Sequence, residues 1–502
     1  MKQNRLSRGI IVLSWLLFAV LAAAVLFVVM RVLSWPLAHD APVLQYVAQQ
    51  ILAGQAPYRD LMENNFPGTY LLHMLQITLF GESDAGWVAF NLLYLALFLT
   101  VHYRLVRRVS NRAALWSGLL FCAVYFSFGA FHLGQRDFLM TLFTAAAGLV
   151  LIESAERGLR PAALFACGAL GAFSAMIKPY SVIYLLLLFA LLALFCRQQK
   201  LPFWGRAALL ALGAAAVGAA IFAWLAADQS LAAFWDIGFN LVLGVYNKTL
   251  SLPLIELLAL LIATPVIFVT ALFVLPFVRR VELPSPTARR VVWLVLCGIF
   301  YGLCHYLLQG KGYSYHSIPL LYFVLALLGI LTDRLLAAPR LSAQVAAFAA
   351  LLCLVLVYAS TLTLEGLRDS SLTKIRPVVP QLEADLNAMG ITRDDRVQVL
   401  DGVVGGLHVL YRLHLRQPTR FLYDFPLLLP EDSPYRTEQR RAFLQELTHN
   451  RTAAIVAFHK GFLPDQPVGL ARFAGFPELV DFWTRQCTPA AVREDYTLFD
   501  CR

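Results

Sequence analysis

Charged side chains recur beside the long apolar runs of this sequence, in stretches too short to be domains. The longest stretch, HDAPVLQYVAQQILAGQAPYRDLMENNFPGTY, begins at His39 and carries Asp40, Tyr58, Asp60 and Glu63. A carboxylate there could accept a proton from an attacking hydroxyl, and nearby cations could neutralise a departing phosphate. Three further stretches, FHLGQRDFLM, MIKPYSVIY and QGKGYSYHSIP, supply His132, Arg136, Asp137, Lys178, Tyr180, Lys311, Tyr313, Tyr315 and His316.

Each of these residues also has a simpler explanation when taken alone. Asp40 could cap the helix that begins near Pro42, and Asp137 could cap the apolar helix that follows it. The basic residues could extend to lipid headgroups, as Lys and Arg near span ends often do. Charged residues this close to apolar spans are costly unless they pair or bind something, so their grouping favours a binding or catalytic site.

The composition requires a membrane around most of the chain. The 502 residues are 59% hydrophobic and 14% charged, and the mean hydropathy is +0.66. A soluble globular protein has far more polar surface than this composition can supply. The net charge of +10 lies in short basic clusters between apolar runs, which is the pattern of cytoplasmic loops and predicts no nucleic-acid partner.

The apolar runs predict eleven membrane-spanning helices. The first run is too long for a signal peptide and is interpreted as a retained span. Basic clusters follow alternate runs, which places the N-terminus in the cytoplasm and the C-terminus outside an inner membrane. The predicted spans are residues 9–35, 85–104, 113–131, 138–155, 161–178, 180–196, 206–226, 253–278, 291–308, 318–333 and 342–363.

Two segments outside the spans are predicted to be structured. Residues 36–84 contain two short apolar helical patterns that are expected to lie along the membrane surface. Residues 364–502 alternate strand and helix patterns, which predicts a small extracytoplasmic α/β domain after a helical transmembrane domain of residues 1–363. Cys487 and Cys501 in this domain could form a disulfide or remain two free thiols.

The sequence resembles the GT-C glycosyltransferases, and in particular the branch of aminoarabinose transferases and protein mannosyltransferases. That branch has an acidic residue just after the first span, a surface helix, the motif G-x-x-P-Y/F and then E-K-P-P-L/G-x-Y. The corresponding parts here are Asp40, AGQAPYRD and ENNFPGTYLLH. Two positions depart from the pattern: Asn65 replaces the lysine of the second motif, and Ala41 replaces a second acid after the first.

The resemblance implies an inverting transfer of a hexose or pentose from a polyprenyl-phosphate donor to an acceptor. It assigns the catalytic base to Asp40, a second catalytic carboxylate to Asp137 and a lysine–proline turn to Lys178. The tyrosines, histidines, cations and remaining acids given above are the expected substrate-binding residues. Lys311 or Arg136 could bind the phosphate in place of the family lysine, where this chain has Asn65.

Two other functions agree with the same composition. A transporter or lipid flippase would need ionisable residues in mid-membrane and related halves, whereas the charges here lie at span ends and no repeat is present. A non-catalytic scaffold for glycan assembly could keep the same fold. No cofactor or metal ligand is predicted, although a divalent metal remains possible, and the acceptor could be a glycolipid, a polysaccharide or a protein.

Overall fold

The computed structural model shows a chain that folds as two compact units, each made of three segments. It describes residues 2–247, 251–280, 282–283, 285–401, 403–429, 434–461 and 467–502. The first unit comprises Met1–Trp35, Val88–Ile221 and Leu250–Arg368. The second unit comprises Pro36–Trp87, Phe222–Thr249 and Asp369–Arg502.

Long helices make up most of the first unit. Because the long apolar runs of this unit are helical, their backbone polar groups are satisfied within each helix, as a bilayer demands. Short 3₁₀ turns at Ala130–His132, Pro179–Ser181 and Ser314–Ser317 adjoin three of these helices. The helices are Lys2–Val32, Asp84–Val106, Asn111–Ser127, Arg136–Glu156, Pro161–Ile177, Val182–Gln198, Trp204–Ala227, Leu254–Ile262, Pro265–Val269, Pro286–Gln309, Ile318–Leu336 and Leu341–Leu367.

Among the described residues, eight helices are long and apolar enough to cross a membrane, and a bent pair brings the number to nine. The bent pair, Leu254–Ile262 and Pro265–Phe277, turns by 70° at a short break. The sequence predicted eleven spans, and nine of them correspond to these helices among the described residues. The two remaining predicted spans correspond to Asn111–Ser127 and Pro161–Ile177, which have 17 residues each.

Glycines allow two helices of the first unit to pack closely. A Cβ added at Gly168 would lie 1.9 Å from the Leu210 carbonyl oxygen, and one at Gly213 would lie 1.9 Å from the Phe165 carbonyl oxygen. The reciprocal contact joins Pro161–Ile177 to Trp204–Ala227 backbone against backbone. Small residues permit such close approach in membranes, where lipid provides no hydrophobic force between helices.

The second unit contains the remaining helices and one small sheet. Its strands β1 (Arg396–Leu400), β2 (Thr452–Phe458), β3 (Thr488–Val492) and β4 (Tyr496–Asp500) lie in the order β1-β2-β4-β3. β1 pairs parallel with β2, and the other pairs are antiparallel. The α/β character predicted for the C-terminal region is therefore confirmed. Helices elsewhere in this unit are Ala41–Leu52, Pro67–Phe80, Leu231–Asp236, Ile237–Tyr246, Leu372–Ile375, Val378–Ala388, Gly406–Leu413, Pro434–His449 and Pro477–Gln486.

Hydrogen bonds fix the stretch after the first long helix to the C-terminal region within the second unit. The Met62 amide donates to the Arg420 carbonyl at 2.7 Å, and the Gln417 amide donates to the Tyr46 hydroxyl at 3.2 Å. A disulfide joins Cys487 to Cys501, which decides between the two alternatives left open by the sequence.

Candidate functional site

A buried ion pair lies at the centre of the polar residues of the first unit. The Lys178 Nζ lies 2.7 Å from the Asp137 Oδ2, and the His305 Nε2 lies 2.7 Å from the Asp137 Oδ1. The Lys178 ammonium also donates to the Gln309 side-chain oxygen at 2.5 Å. Asp137 and His305 are fully buried and Lys178 is 7% exposed. The lysine is therefore held by two acceptors instead of extending to lipid headgroups.

Local backbone rules place these side chains at one end of their helices. Asp137 is in the first turn of Arg136–Glu156, where the helix dipole favours a negative charge. Lys178 is extended at φ −141° and ψ 121° between Ile177 and Pro179, because a residue that precedes proline avoids the helical region. His305 and Gln309 lie four residues apart in the last turns of Pro286–Gln309, so both face the same side.

Lys311 comes directly after Gly310, whose left-handed backbone ends the helix Pro286–Gln309. Its side chain is 8% exposed. Burial, and then the positive charges of Lys178 and Arg136, lower the pKa of Lys311 to about 7. Three cations thus lie close enough to influence one another electrostatically, an arrangement that favours a bound anion.

Aromatic rings border these cations. Tyr313 stacks on Tyr315 with ring centroids 5.7 Å apart, and Tyr315 meets the buried His316 at 4.6 Å. The Lys178 Nζ lies 5.8 Å from the centroid of the Tyr315 ring, within the range of a cation–π contact.

Two further predicted residues of the first unit join the same cluster. The His132 Nδ1 is 2.8 Å from the Phe128 carbonyl oxygen, and its Nε2 is 3.2 Å from the Ser314 hydroxyl. The Tyr180 ring meets the His305 ring edge-on at 5.9 Å. The structure therefore brings the predicted residues of this unit together. We call the set the cationic cluster, and it consists of His132, Arg136, Asp137, Lys178, Tyr180, His305, Gln309, Lys311, Tyr313, Tyr315 and His316.

Asp40 belongs to the second unit and precedes the helix Ala41–Leu52. It is in a helical conformation, and its side chain makes no hydrogen bond that caps this helix. The capping explanation therefore does not describe Asp40. Its neighbour His39 has a left-handed backbone at φ 57°, which is uncommon for a residue other than glycine. The His39 Nδ1 lies 3.4 Å from the Asp40 Oδ1.

Glu63 is surrounded by donors within the second unit. It is 1% exposed and accepts from the Asn65 amide at 2.7 Å and from the Asn65 side chain at 2.6 Å. The Tyr70 hydroxyl at 2.5 Å and the Tyr423 hydroxyl at 3.1 Å also donate to it. Glu63 thus stabilises the loop through several bonds, and Asn65, which stands where the sequence resemblance expects a lysine, is one of its partners.

Tyr58 and Asp60 also make bonds within this loop. The Tyr58 hydroxyl donates to the Asn65 carbonyl at 2.6 Å. The Asp60 carboxylate accepts from the Ala56 amide at 2.8 Å and forms a two-pronged pair with Arg59 at 2.8 and 2.9 Å. These contacts explain a structural role for both residues, and their predicted contact with substrate stays a prediction.

His305 and Gln309 were not predicted as site residues from the sequence. The available signal was a pair of polar residues four positions apart near the end of an apolar helix. Within the ranges that the structure describes, no group of three or more His, Cys, Asp or Glu side chains could hold a metal ion.

Residues 65–226 match the family model described as dolichyl-phosphate-mannose-protein mannosyltransferase. No match is found among curated protein sequences.

Among solved structures, the chain is similar to ArnT from Cupriavidus metallidurans bound to undecaprenyl phosphate. The TM-score is 0.61 at 13% identity, over 96% of this chain and 97% of ArnT. The apo state of the same protein matches with a TM-score of 0.60, also at 13% identity, over 97% of each chain. An oligosaccharyltransferase from Archaeoglobus fulgidus gives a TM-score of 0.48 at 15% identity, over 88% of this chain and 68% of that one.

Proposed function

We propose a specific reaction for this chain, which has the fold of the GT-C glycosyltransferases and a segment matching a mannosyltransferase family model. The chain transfers one sugar from a polyprenyl-phosphate donor to a hydroxyl of an acceptor outside the cytoplasm, with inversion at the anomeric carbon. The acceptor is a glycolipid, a polysaccharide or a protein, and the general base is Asp40.

The cationic cluster is the observation that carries this proposal. Arg136, Lys178 and Lys311 supply up to three positive charges against the one carboxylate of Asp137. All of them lie at helix ends, next to apolar helices long enough to cross a bilayer. A lipid phosphate offers an anionic group at the level of such helix ends, while its hydrocarbon chain stays in the bilayer. The similar ArnT structure was determined with undecaprenyl phosphate bound, which supports a donor of this class.

In the proposed reaction the Asp40 carboxylate takes the proton of the acceptor hydroxyl as its oxygen attacks the anomeric carbon. The bond between this carbon and the phosphate oxygen breaks, and the electron pair leaves with the polyprenyl phosphate. Negative charge grows on that phosphate in the transition state, where Lys178, Arg136 and Lys311 stabilise it. A single displacement of this kind inverts the anomeric configuration.

Asp137 acts in this scheme as a positioning residue. One of its oxygens contacts Lys178 and the other contacts His305. Asp137 therefore orients these two side chains instead of taking a proton from the acceptor. Its negative charge also reduces the cost of burying Lys178.

The disulfide supports a C-terminal region outside the cytoplasm, because disulfides persist in oxidising compartments. The basic clusters between spans support the same orientation.

The base assignment is tested with purified protein in lipid nanodiscs and a radiolabelled polyprenyl-phosphate sugar. We expect Asp40→Asn to lower turnover by about 10²-fold or more, since general base catalysis contributes about 10²–10⁴-fold. The matched control is Asp481→Asn, which removes a carboxylate that is 67% exposed on another helix of the second unit. Normal turnover of Asp40→Asn, or an equal loss in both variants, would refute the role of Asp40.

A further inference from the structure

A small cavity in the second unit adjoins the residue before Asp40. It is lined by His39 and Pro42 on either side of that aspartate, and by Arg376, Asp401 and His408 from the C-terminal region. The space holds roughly one water-sized group. A ligand would therefore place a single atom in it.

The one carboxylate in the lining is already saturated by backbone donors. The Asp401 oxygens accept from the amides of Val404, Gly405 and Gly406 at 2.7, 2.9 and 2.8 Å. Its charge acts on the start of the helix Gly406–Leu413 and also on Arg376. The other ionisable side chains that line the cavity are basic.

His408 provides a donor that the protein leaves unused. Its side chain is 2% exposed, and neither ring nitrogen has a hydrogen-bond partner in the described part of the chain. Burial, and then the positive charges of Arg412 and Arg376, lower the pKa of His408 to about 3. The ring is therefore neutral and offers one N–H. A buried donor without an acceptor is costly, and a ligand oxygen would satisfy it.

Arg376 is the second basic group of the cavity. Burial lowers its pKa, although the negative charges of Asp401 and Asp40 oppose this change. Its guanidinium therefore interacts electrostatically with Asp40 from a half-buried position. Such a group binds a carboxylate or a phosphate strongly, because charge-assisted hydrogen bonds gain strength away from water.

We propose that this cavity binds one oxygen of an anionic group on the acceptor, a carboxylate or a phosphate, with Arg376 and His408 as donors. The inference rests on the proposed function, in which Asp40 activates the acceptor hydroxyl. Fixing a charged group beside Asp40 selects acceptors in which a hydroxyl stands close to an anionic substituent. The site is a binding subsite, and no bond is made or broken in it.

The test measures binding by the full chain in nanodiscs without any donor. The probes are methyl glucuronoside, methyl glucoside 6-phosphate and the neutral methyl glucoside, and the readout is thermal stabilisation over a range of probe concentrations. We expect at least one anionic probe to bind about ten- to a hundredfold more tightly than the neutral one, the range of a charge-assisted hydrogen bond. The two anionic probes distinguish a carboxylate source from a phosphate source.

Variants locate the binding. Arg376→Met should abolish the preference for the anionic probe, and Arg376→Lys should retain part of it. His408→Gln provides an independent variant if the arginine variants fail to fold. The matched control, Arg485→Met, removes a guanidinium from a side chain that is 78% exposed in the same unit and should keep the preference.

Equal binding of all three probes by the unmodified protein would overturn the inference. An equal loss in Arg485→Met would overturn it as well, because binding would then reflect net charge alone. Since this readout needs no turnover, it is separable from the proposed function. A protein that binds the anionic probe but transfers no sugar would contradict the reaction and leave the subsite standing.

Discussion

Removing the charge of Lys178 should destabilise the first unit strongly. Asp137 is fully buried and has two partners at 2.7 Å, Lys178 and His305. Lys178→Met keeps the length of the side chain but leaves the carboxylate with the histidine alone. Breaking a buried pair by removing one partner costs about 3–5 kcal/mol, because the other charge stays buried. We expect a loss of this size.

The double variant Lys178→Met, Asp137→Asn should be more stable than the Lys178→Met single variant. The amide carries no charge and can still bond to His305, so about 1–3 kcal/mol of the loss should return. The assay is a double-mutant cycle from equilibrium unfolding with SDS in mixed micelles, followed by tryptophan fluorescence.

A second ion pair in the same unit serves as the control. The Arg112 Nε lies 3.1 Å from the Asp333 Oδ1, but the arginine side chain is 47% exposed. A pair with one partner in solvent should give a coupling below about 1 kcal/mol. If the Lys178–Asp137 cycle is additive to within about 0.5 kcal/mol, the reasoning on the buried pair is refuted.

Four further predictions concern the donor site and the C-terminal region. Lys311→Met and Arg136→Met should each slow transfer at saturating donor by about tenfold or more, since each removes a charge that stabilises the leaving phosphate. Unchanged turnover would show that these residues only anchor the protein at the membrane surface. The pKa of Lys311 is lowered to about 7, so the residue loses its charge as the pH rises through 7. The KM for donor should therefore rise over this pH range in the unmodified protein but not in Lys311→Met. A reporter fused after Arg502 should be active only in a form that requires export, and a cytoplasmic signal would contradict the predicted orientation. Reduction of the Cys487–Cys501 disulfide should lower the free energy of unfolding of the second unit by about 3 kcal/mol, given a sequence separation of 14 residues. An unchanged free energy of unfolding would show that the disulfide does not stabilise this unit.

Much of the cationic cluster could be predicted because hydropathy fixes where helices end. Once the apolar runs are assigned, Arg136, Lys178, Lys311 and His316 all fall at span ends on one side, and side chains at the same end of a helical bundle can meet. The structure places them around Asp137.

Three features could not be read from the sequence. His305 lies near the end of an apolar helix, where the sequence shows a polar residue but not its contact with Asp137. The position of Asn65 suggested a missing phosphate ligand, whereas the structure shows that its side chain bonds to Glu63. The sequence also does not show where a short span begins and ends: two of the eleven predicted spans form helices of 17 residues, at the lower limit of the length that crosses a bilayer.

The cavity beside Asp40 was also beyond the sequence. It is built from residues more than three hundred positions apart, with His39 on one side and Arg376 and His408 on the other. No local pattern marks Arg376, which stands before a proline in a polar segment. Only the folded second unit brings it into the electrostatic range of Asp40.

The anomeric configuration of the product tests the central claim most directly. Purified protein in nanodiscs is given a polyprenyl-phosphate sugar of known anomeric configuration together with acceptor, and the product is analysed by NMR spectroscopy. A single displacement with Asp40 as base predicts a product of inverted configuration and one free polyprenyl phosphate for each sugar transferred. A product of retained configuration, or no transfer from any polyprenyl-phosphate sugar, would contradict the proposed reaction.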